Sequence, residues 1–208
     1  MAKLYFRYGT VGSAKTLNLL AVAHSYTQQC KRVILLKPEL DDRFGKQRIA
    51  SRCGLEKDAD LLIGPDTILE ELLDFRGVDC ILVDEVQFVS PNIIDQLRSL
   101  ATHRNVPIIC YGLRSDFRRS LFAASAKLME LADQIEEIKM TCAFCNRKAI
   151  FNMKLVNGVP TLQGPSIELG CEEKYLPACS HCYDDRLGKS PSSRRSPASE
   201  YRANHIQA

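Results

Sequence analysis

Nowhere in the 208 residues does an apolar run approach membrane-spanning length, which excludes a transmembrane helix. A signal-peptide core is missing too: Met1-Ala2-Lys3-Leu4-Tyr5-Phe6-Arg7 alternates charged and apolar residues. A soluble, unexported, cytoplasmic protein with no membrane partner is expected. The chain lacks a large charge excess as well. Its net charge is +3, and the tail from Lys189 sets Lys189, Arg194, Arg195 and Arg202 against Glu200, the same +3. The body is therefore near neutral, which argues against nucleic acid as a partner. Nine cysteines, an odd number without an export signal, argue against a disulfide framework. No internal repeat is found.

What is present suffices for one α/β domain with a small appendage. Leu4 to Tyr8 reads as a strand, Gly9 to Lys15 as a glycine-bearing loop, and Thr16 to Gln29 as a helix. Arg32 to Leu36 is a second strand, followed by a polar loop at Asp41-Asp42-Arg43-Phe44-Gly45. A helix is expected over Thr67 to Phe75, a buried strand over Asp79 to Val83, and a helix from Pro91 to Ala101. Val106 to Tyr111 reads as strand, Ser120 to Ala132 as helix, and Ile135 to Met140 as the last strand of the sheet. Alternating strands and helices imply a parallel sheet covered on both faces. From Thr141 the texture changes to short strands, with Asn157-Gly158 as a hairpin turn. The expected division is 1–140 as the main α/β domain, 141–188 as a small β lobe, and 189–208 as a disordered basic tail.

Gly9-Thr10-Val11-Gly12-Ser13-Ala14-Lys15-Thr16 matches a phosphate-binding loop, with Ala14 where the pattern has its second glycine. Loop amides and a helix N-terminus suit phosphate oxygens. Lys15 would reach the β- and γ-phosphates of ATP, and the Thr16 hydroxyl would ligate Mg²⁺. The apolar strand Cys80-Ile81-Leu82-Val83 ends in two carboxylates. Asp84 suits Mg²⁺ binding, and Glu85 lies where a general base could sit.

Two C-x2-C pairs, Cys142/Cys145 and Cys179/Cys182, bracket the strand-rich segment. Four thiolates suit a closed, structural, tetrahedral Zn²⁺ site with no open position for catalysis. His181 lies inside the second pair as an alternative ligand, but Cys182 keeps the spacing symmetrical.

Three further stretches complete the pattern: Asp84-Glu85-Val86-Gln87-Phe88, Tyr111-Gly112-Leu113-Arg114-Ser115-Asp116-Phe117-Arg118, and Gly170-Cys171-Glu172-Glu173-Lys174-Tyr175. With the phosphate loop and the cysteine pairs, this set resembles the type II thymidine kinases over roughly Leu4 to Tyr183. The resemblance implies a RecA-like P-loop sheet with a C-terminal zinc lobe, assembled as a homotetramer. It implies a transfer of the γ-phosphoryl group of ATP to the 5′-hydroxyl of thymidine or deoxyuridine, in nucleotide salvage. Glu85 matches the base that accepts the hydroxyl proton. Gln87 falls with Asp84 among the nucleotide-binding positions. Asp41 and Arg43 match a loop near the phosphates and metal. Val11, Phe88, Leu113, Phe117 and Phe122 match positions enclosing the thymine ring. Ile167, Glu168, Leu169 and Gly170 fall in a lasso that closes over the base, and Tyr175 matches a nucleoside contact. Cys171 stands where the lasso usually has a glycine.

Each of these residues also has a plainer reading. The phenylalanines suit a core, Asp41 and Asp42 a turn, and Arg114, Arg118 and Arg119 either a phosphate patch or a solvated loop. Three rival functions stand beside the kinase: a zinc-ribbon nucleic-acid module, a P-loop ATPase without an acceptor, and a nucleotide-binding regulator without turnover.

Overall fold

A computed structural model describes residues 1–166 and 175–188. Six strands form one sheet: β1 (Leu4–Tyr8), β2 (Arg32–Pro38), β5 (Leu61–Ile63), β6 (Val78–Val83), β7 (Ile108–Gly112) and β8 (Gln134–Glu137). Their order is β5-β2-β6-β7-β1-β8, and every pairing is parallel. A strand buried on both faces cannot alternate apolar with polar, which is why Cys80 to Val83 is apolar throughout. Ile81 and Val83 pack with Ile93, Ile94 and Leu97 of α3 (Pro91–His103) and Leu128 of α4 (Ala123–Leu131). Cys80 and Leu82 face the other way, onto Leu19, Leu20 and Ala23 of α1 (Lys15–Gln28). Each such aliphatic, fully buried, stabilises the fold by about 1.5–3 kcal/mol.

Parallel strands put all their carboxyl ends on one edge. The loops after β1, β2, β6 and β7 emerge there, where ligands bind open α/β sheets.

Beyond the parallel sheet, β9 (Phe151–Val156) pairs antiparallel with β10 (Val159–Thr161) and β11 (Tyr175–Ala178). Asn157 and Gly158 make the turn with φ of 51° and 78°, the double positive φ of a two-residue hairpin. Met153, Ala178 and Tyr183 form this sheet's small core beneath α5 (Ser180–Arg186).

Two regions depart from the sequence reading. Between β2 and β6 the chain forms a hairpin, β3 (Arg48–Ala50) with β4 (Glu56–Asp58), and the edge strand β5. The hairpin strands are three residues long and β4 is wholly exposed, so no apolar alternation announces them. The helix expected over 67–75 shrinks to α2 (Leu69–Leu72), because only Leu69 is buried and Leu73 is extended. The helix expected from Ser120 starts at Ala123 instead. Asp116 Oδ1 accepts from the amides of Arg118 and Ser120, closing a turn that holds those residues out of the helix.

Candidate active site

β1 delivers the chain into the phosphate loop at Gly9, whose amide donates to Gly112 O at 3.2 Å. A Cβ on Gly9 would lie 2.3 Å from Ser13 Oγ and 2.7 Å from Ile138 O, so only glycine lets the loop close. Lys15 is buried, and its Nζ folds back to donate to Thr10 O at 2.8 Å. Burial pushes its amine down, partly offset by Glu85 and Asp84. Two observations fit a phosphate in this cradle. Thr10 Oγ1 and Ser13 Oγ are buried with no partner among the described residues. No side chain caps α1, although its first amides have no intrahelical acceptor. A helix N-terminus in that state favours an anion.

Ala14 opens α1 at φ 61°, ψ 31°. That left-handed conformation costs a residue with a Cβ about 1–2 kcal/mol. Ala14→Gly should therefore relieve strain, with part of the gain returned as chain entropy. We expect a Tm rise of about 2–4 °C, the shift for about 1 kcal/mol in a chain of this size, and an ATP KM equal or lower. Thermal melts and steady-state kinetics check it. A large activity loss in the glycine variant would make the Ala14 methyl a required adaptation.

At the end of β6, Thr16 Oγ1 donates to Asp84 Oδ2 at 3.1 Å, joining the phosphate loop to the second strand. Burial, then the Glu85 charge, pushes the Asp84 carboxyl up to about 7. A partly buried hydroxyl beside a buried carboxyl is a hard-oxygen donor set that fits Mg²⁺.

Glu85 is the pivot of the arrangement. It adopts φ 46°, a strained value for a residue with a side chain. Arg43 Nη2 donates to its Oε1 at 2.7 Å, and Gln87 Nε2 to its Oε2 at 2.5 Å. Gln87 cannot flip, because its Oε1 accepts from the Leu113 amide at 2.9 Å. A Cβ on Gly112 would meet that Oε1 at 2.5 Å, so glycine is needed there as well. Arg43 also donates to Asp41, Nε to Oδ1 at 2.6 Å. Burial alone would raise the Glu85 carboxyl; Arg43, Lys15 and Gln87 outweigh it and hold the group below the usual carboxylate range. Glu85 is thus ionised, and each carboxylate oxygen keeps a further lone pair for an incoming proton.

These groups line one cavity of about 190 Å³. Its apolar wall comes from Val11, Phe88, Leu113, Phe117, Phe122 and Tyr175. Phe88 meets Phe122 edge-on with ring centroids 6.2 Å apart, and Phe117 lies tilted to Tyr175 at 6.2 Å. A flat ring fits between such walls. The thymidine kinase family model matches residues 2–183.

The chain belongs to the thymidine kinase family.

Its similarity to curated members covers most of its length. It is 40% identical over 185 residues to a thymidine kinase of Lactiplantibacillus plantarum, covering 88% of this chain and 96% of that protein. It is 36% identical to one of Enterococcus faecalis (88% and 95% covered) and 39% identical to one of Chromobacterium violaceum (88% and 98% covered).

In this thymidine kinase family member the structure places Val11 to Thr16, Asp41, Arg43, Asp84, Glu85, Gln87 and the named aromatics on one cavity. Gly9 and Thr10 lie behind it, on a second, much smaller pocket. Ile167, Glu168, Leu169 and Gly170 fall outside the described residues, as does Cys171. Arg114, Arg118 and Arg119 do not line the cavity, and none is a plain solvated loop residue. Arg114 stacks over Tyr8, Arg118 over Phe117, and Arg119 over Tyr183 while pairing with Asp184.

Sequence reasoning missed Asp116, Asn152 and Ser166, all on the cavity. Ser166 Oγ donates to Asp116 Oδ2 at 3.0 Å. Asn152, on β9, accepts from the Val11 amide at 2.8 Å and donates to Ser115 O at 3.2 Å. It fastens the phosphate loop to the antiparallel sheet. Nothing in its local spacing signals this, because its partners lie 141 and 37 residues away.

Cys142, Cys145, Cys179 and Cys182 come together, with their Sγ atoms within 4.8 Å of one another. Cys145 Sγ lies 3.7 Å from both Cys179 Sγ and Cys182 Sγ. Four sulfurs about 2.3 Å from one Zn²⁺ in a tetrahedron would be about 3.8 Å apart. The amides of Phe144 and Cys182 donate to Cys142 and Cys179 Sγ, each at 3.4 Å, as suits thiolates. The exposed His181 stays outside the group. The donor set fits a structural zinc.

Proposed function

We propose that this chain transfers the γ-phosphoryl group of ATP to the 5′-hydroxyl of thymidine, and of deoxyuridine, in nucleotide salvage. The observation that carries the reading is the convergence of the Lys15 loop, the Thr16–Asp84 pair and the ionised Glu85 on one cavity with an aromatic wall. Family membership supplies the substrate class.

Phosphoryl transfer asks for positioning and charge balance more than for covalent chemistry. Lys15 and the loop amides would bind the phosphates. Thr16 and Asp84 would hold Mg²⁺, which when bound offsets charge on the phosphate oxygens. Glu85 accepts the proton of the attacking 5′-hydroxyl, and Arg43 keeps its carboxylate aimed into the cavity. Val11, Phe88, Leu113, Phe117 and Phe122 hold the base, with Tyr175 against the nucleoside. Residues 167–170 belong to the same reading as base contacts through main-chain groups. Residues 1–140 would carry ATP, residues 141–188 the structural zinc and part of the nucleoside site. A cytoplasmic homotetramer completes the proposal, and light scattering tests the assembly.

The deciding experiment is transfer of radiolabelled phosphate from ATP to a panel of nucleosides. Thymidine and deoxyuridine are expected to be substrates and deoxycytidine poor. Cytosine replaces the O4 acceptor with an amino donor and N3–H with an acceptor. A buried polar group left unpaired costs about 1–3 kcal/mol, and about 1.4 kcal/mol is a factor of ten. Deoxycytidine should therefore fall at least about tenfold behind in kcat/KM. Equal turnover would overturn the base-recognition part. ATP hydrolysis indifferent to every nucleoside would replace the kinase with an ATPase.

A further inference from the structure

The loop that carries Arg43 to Glu85 hangs on a single buried ammonium. Lys37, the penultimate residue of β2, is 1% exposed. Its Nζ donates to Arg48 O at 2.9 Å and to Gly45 O at 3.4 Å, and lies 3.6 Å from Asp41 Oδ2. An ammonium has three N–H groups, and three acceptors surround this one. Two come from the segment between β2 and β3, at Asp41 and Gly45, and the third from Arg48, the first residue of β3.

Asp41 is itself buried, and both its oxygens accept from Arg43: Nε at 2.6 Å and Nη2 at 3.2 Å. The same Nη2 reaches Glu85 Oε1 at 2.7 Å. Arg43 is thus forked between two carboxylates. Lys37 supplies a second positive charge to Asp41, so the guanidinium need not turn wholly towards it. The chain Lys37–Asp41–Arg43–Glu85 alternates in sign, with side chains no more than 12% exposed. Charge pairs that dry are little screened by solvent. Asp41, Arg43 and Glu85 line the cavity; Lys37 does not, so it can act only through its neighbours.

We propose that Lys37 is a positioning residue for phosphoryl transfer: by holding Asp41 and the carbonyls of Gly45 and Arg48, it sets where Arg43 meets Glu85. The proposal deepens the kinase reading and rests on it.

Without the Lys37 charge, Asp41 draws Arg43 away from Glu85, and the carboxylate loses its aim. The effect belongs to kcat, because neither the phosphate loop nor the aromatic wall touches Lys37 in the contacts described.

The test is a double-mutant cycle. Lys37→Met is expected to lower kcat about tenfold or more, with the KM for ATP within about twofold of wild type. In an Arg43→Gln background the same change should cost less than about a further twofold, because the relay is already cut. A purely structural lysine would give additive losses, or a risen KM with kcat intact, and either result overturns the proposal. If Lys37→Met does not fold, Lys37→Gln removes the charge facing Asp41 while keeping two donors for the carbonyls. Asp41→Asn is an independent arm that leaves Lys37 and both carbonyl bonds in place. With the carboxylate that draws Arg43 away removed, Lys37→Met in this background should cost less than about a further twofold in kcat; a full loss of about tenfold there also overturns the proposal. Failure of the parent reading looks different: Glu85→Gln would then retain turnover. If Glu85→Gln is inactive and the cycle is additive, only the Lys37 proposal falls.

Discussion

Replacing Glu85 with Gln is expected to lower kcat by about 10²–10⁴, the usual cost of a lost general base, while ATP still binds. The carboxylate is ionised because Arg43, Lys15 and Gln87 outweigh its burial, so it stands ready to take a proton. An amide cannot take one. The substitution also disturbs the neighbours in a defined way. Glu85 accepts on both oxygens, from Arg43 and from Gln87. A glutamine can accept on one only. Its carbonyl would stay with Arg43, the stronger donor, and its NH₂ would then face the NH₂ of Gln87. Gln87 has no freedom to turn, since its own carbonyl is taken by the Leu113 amide. One unpaired buried donor should cost about 1–3 kcal/mol of stability, readable as a lower Tm beside the kinetic loss. Lys15 loses a nearby opposite charge but keeps its hydrogen bond to Thr10 O, and no loop amide bonds Glu85 in the contacts described, so nucleotide affinity should change little. Single-turnover kinetics and calorimetric ATP titration separate the two. Turnover near wild type would remove Glu85 from the base role; weakened ATP binding with an intact chemical step would make it a nucleotide ligand instead.

Freshly purified protein is expected to hold about one zinc per chain, and its removal should cost the second sheet its fold. Among the described residues, the apolar core cluster of that sheet has only Met153, Ala178 and Tyr183 fully buried. At about 1.5–3 kcal/mol for a large apolar side chain, such a core cannot offset the ordering of its backbone. Structural zinc sites contribute about 10–16 kcal/mol of apparent binding energy in small domains. Cys145→Ser, or a strong chelator, should therefore lower Tm by well over about 10 °C, since each 1 kcal/mol is worth about 2–4 °C at this size. The damage should reach ATP as well as the nucleoside. Cys179 follows β11, where Ala178 pairs with Phe151, and the next residue on β9, Asn152, holds the Val11 amide. A raised KM for both substrates is expected, in proportion to zinc lost. Metal analysis finding no zinc in freshly prepared active protein would sink the zinc assignment. Zinc loss with both KM values unchanged would break the mechanical link through Asn152.

Much of this protein is legible in its sequence because the chemistry is contiguous there. A phosphate loop needs its amides, lysine and hydroxyl within eight residues, since one turn must wrap one phosphate group. A buried parallel strand needs apolar residues on both faces, so Cys80 to Val83 announces itself, and Asp84 and Glu85 follow at its end. Cysteines at C-x2-C spacing and a two-residue turn at Asn157-Gly158 are equally local. Tertiary structure alone decided the rest. The left-handed φ of Ala14 comes from loop closure against Gly112 and Thr10, and composition cannot state a dihedral. The strands of the β3–β4 hairpin are three residues long, with β4 wholly exposed and Ile49 of β3 buried alone, so no repeating apolar pattern was written into it. Arg43 and Glu85 are 42 residues apart, and Asn152 and Val11 are 141 apart. Lys37 is an unremarkable strand residue until the loop beyond it folds back to surround its ammonium. Short-range spacing is fixed by covalent geometry, so a sequence displays it directly. Long-range pairing depends on which strand ends the sheet order brings to one edge, and that order is settled only when the whole core packs.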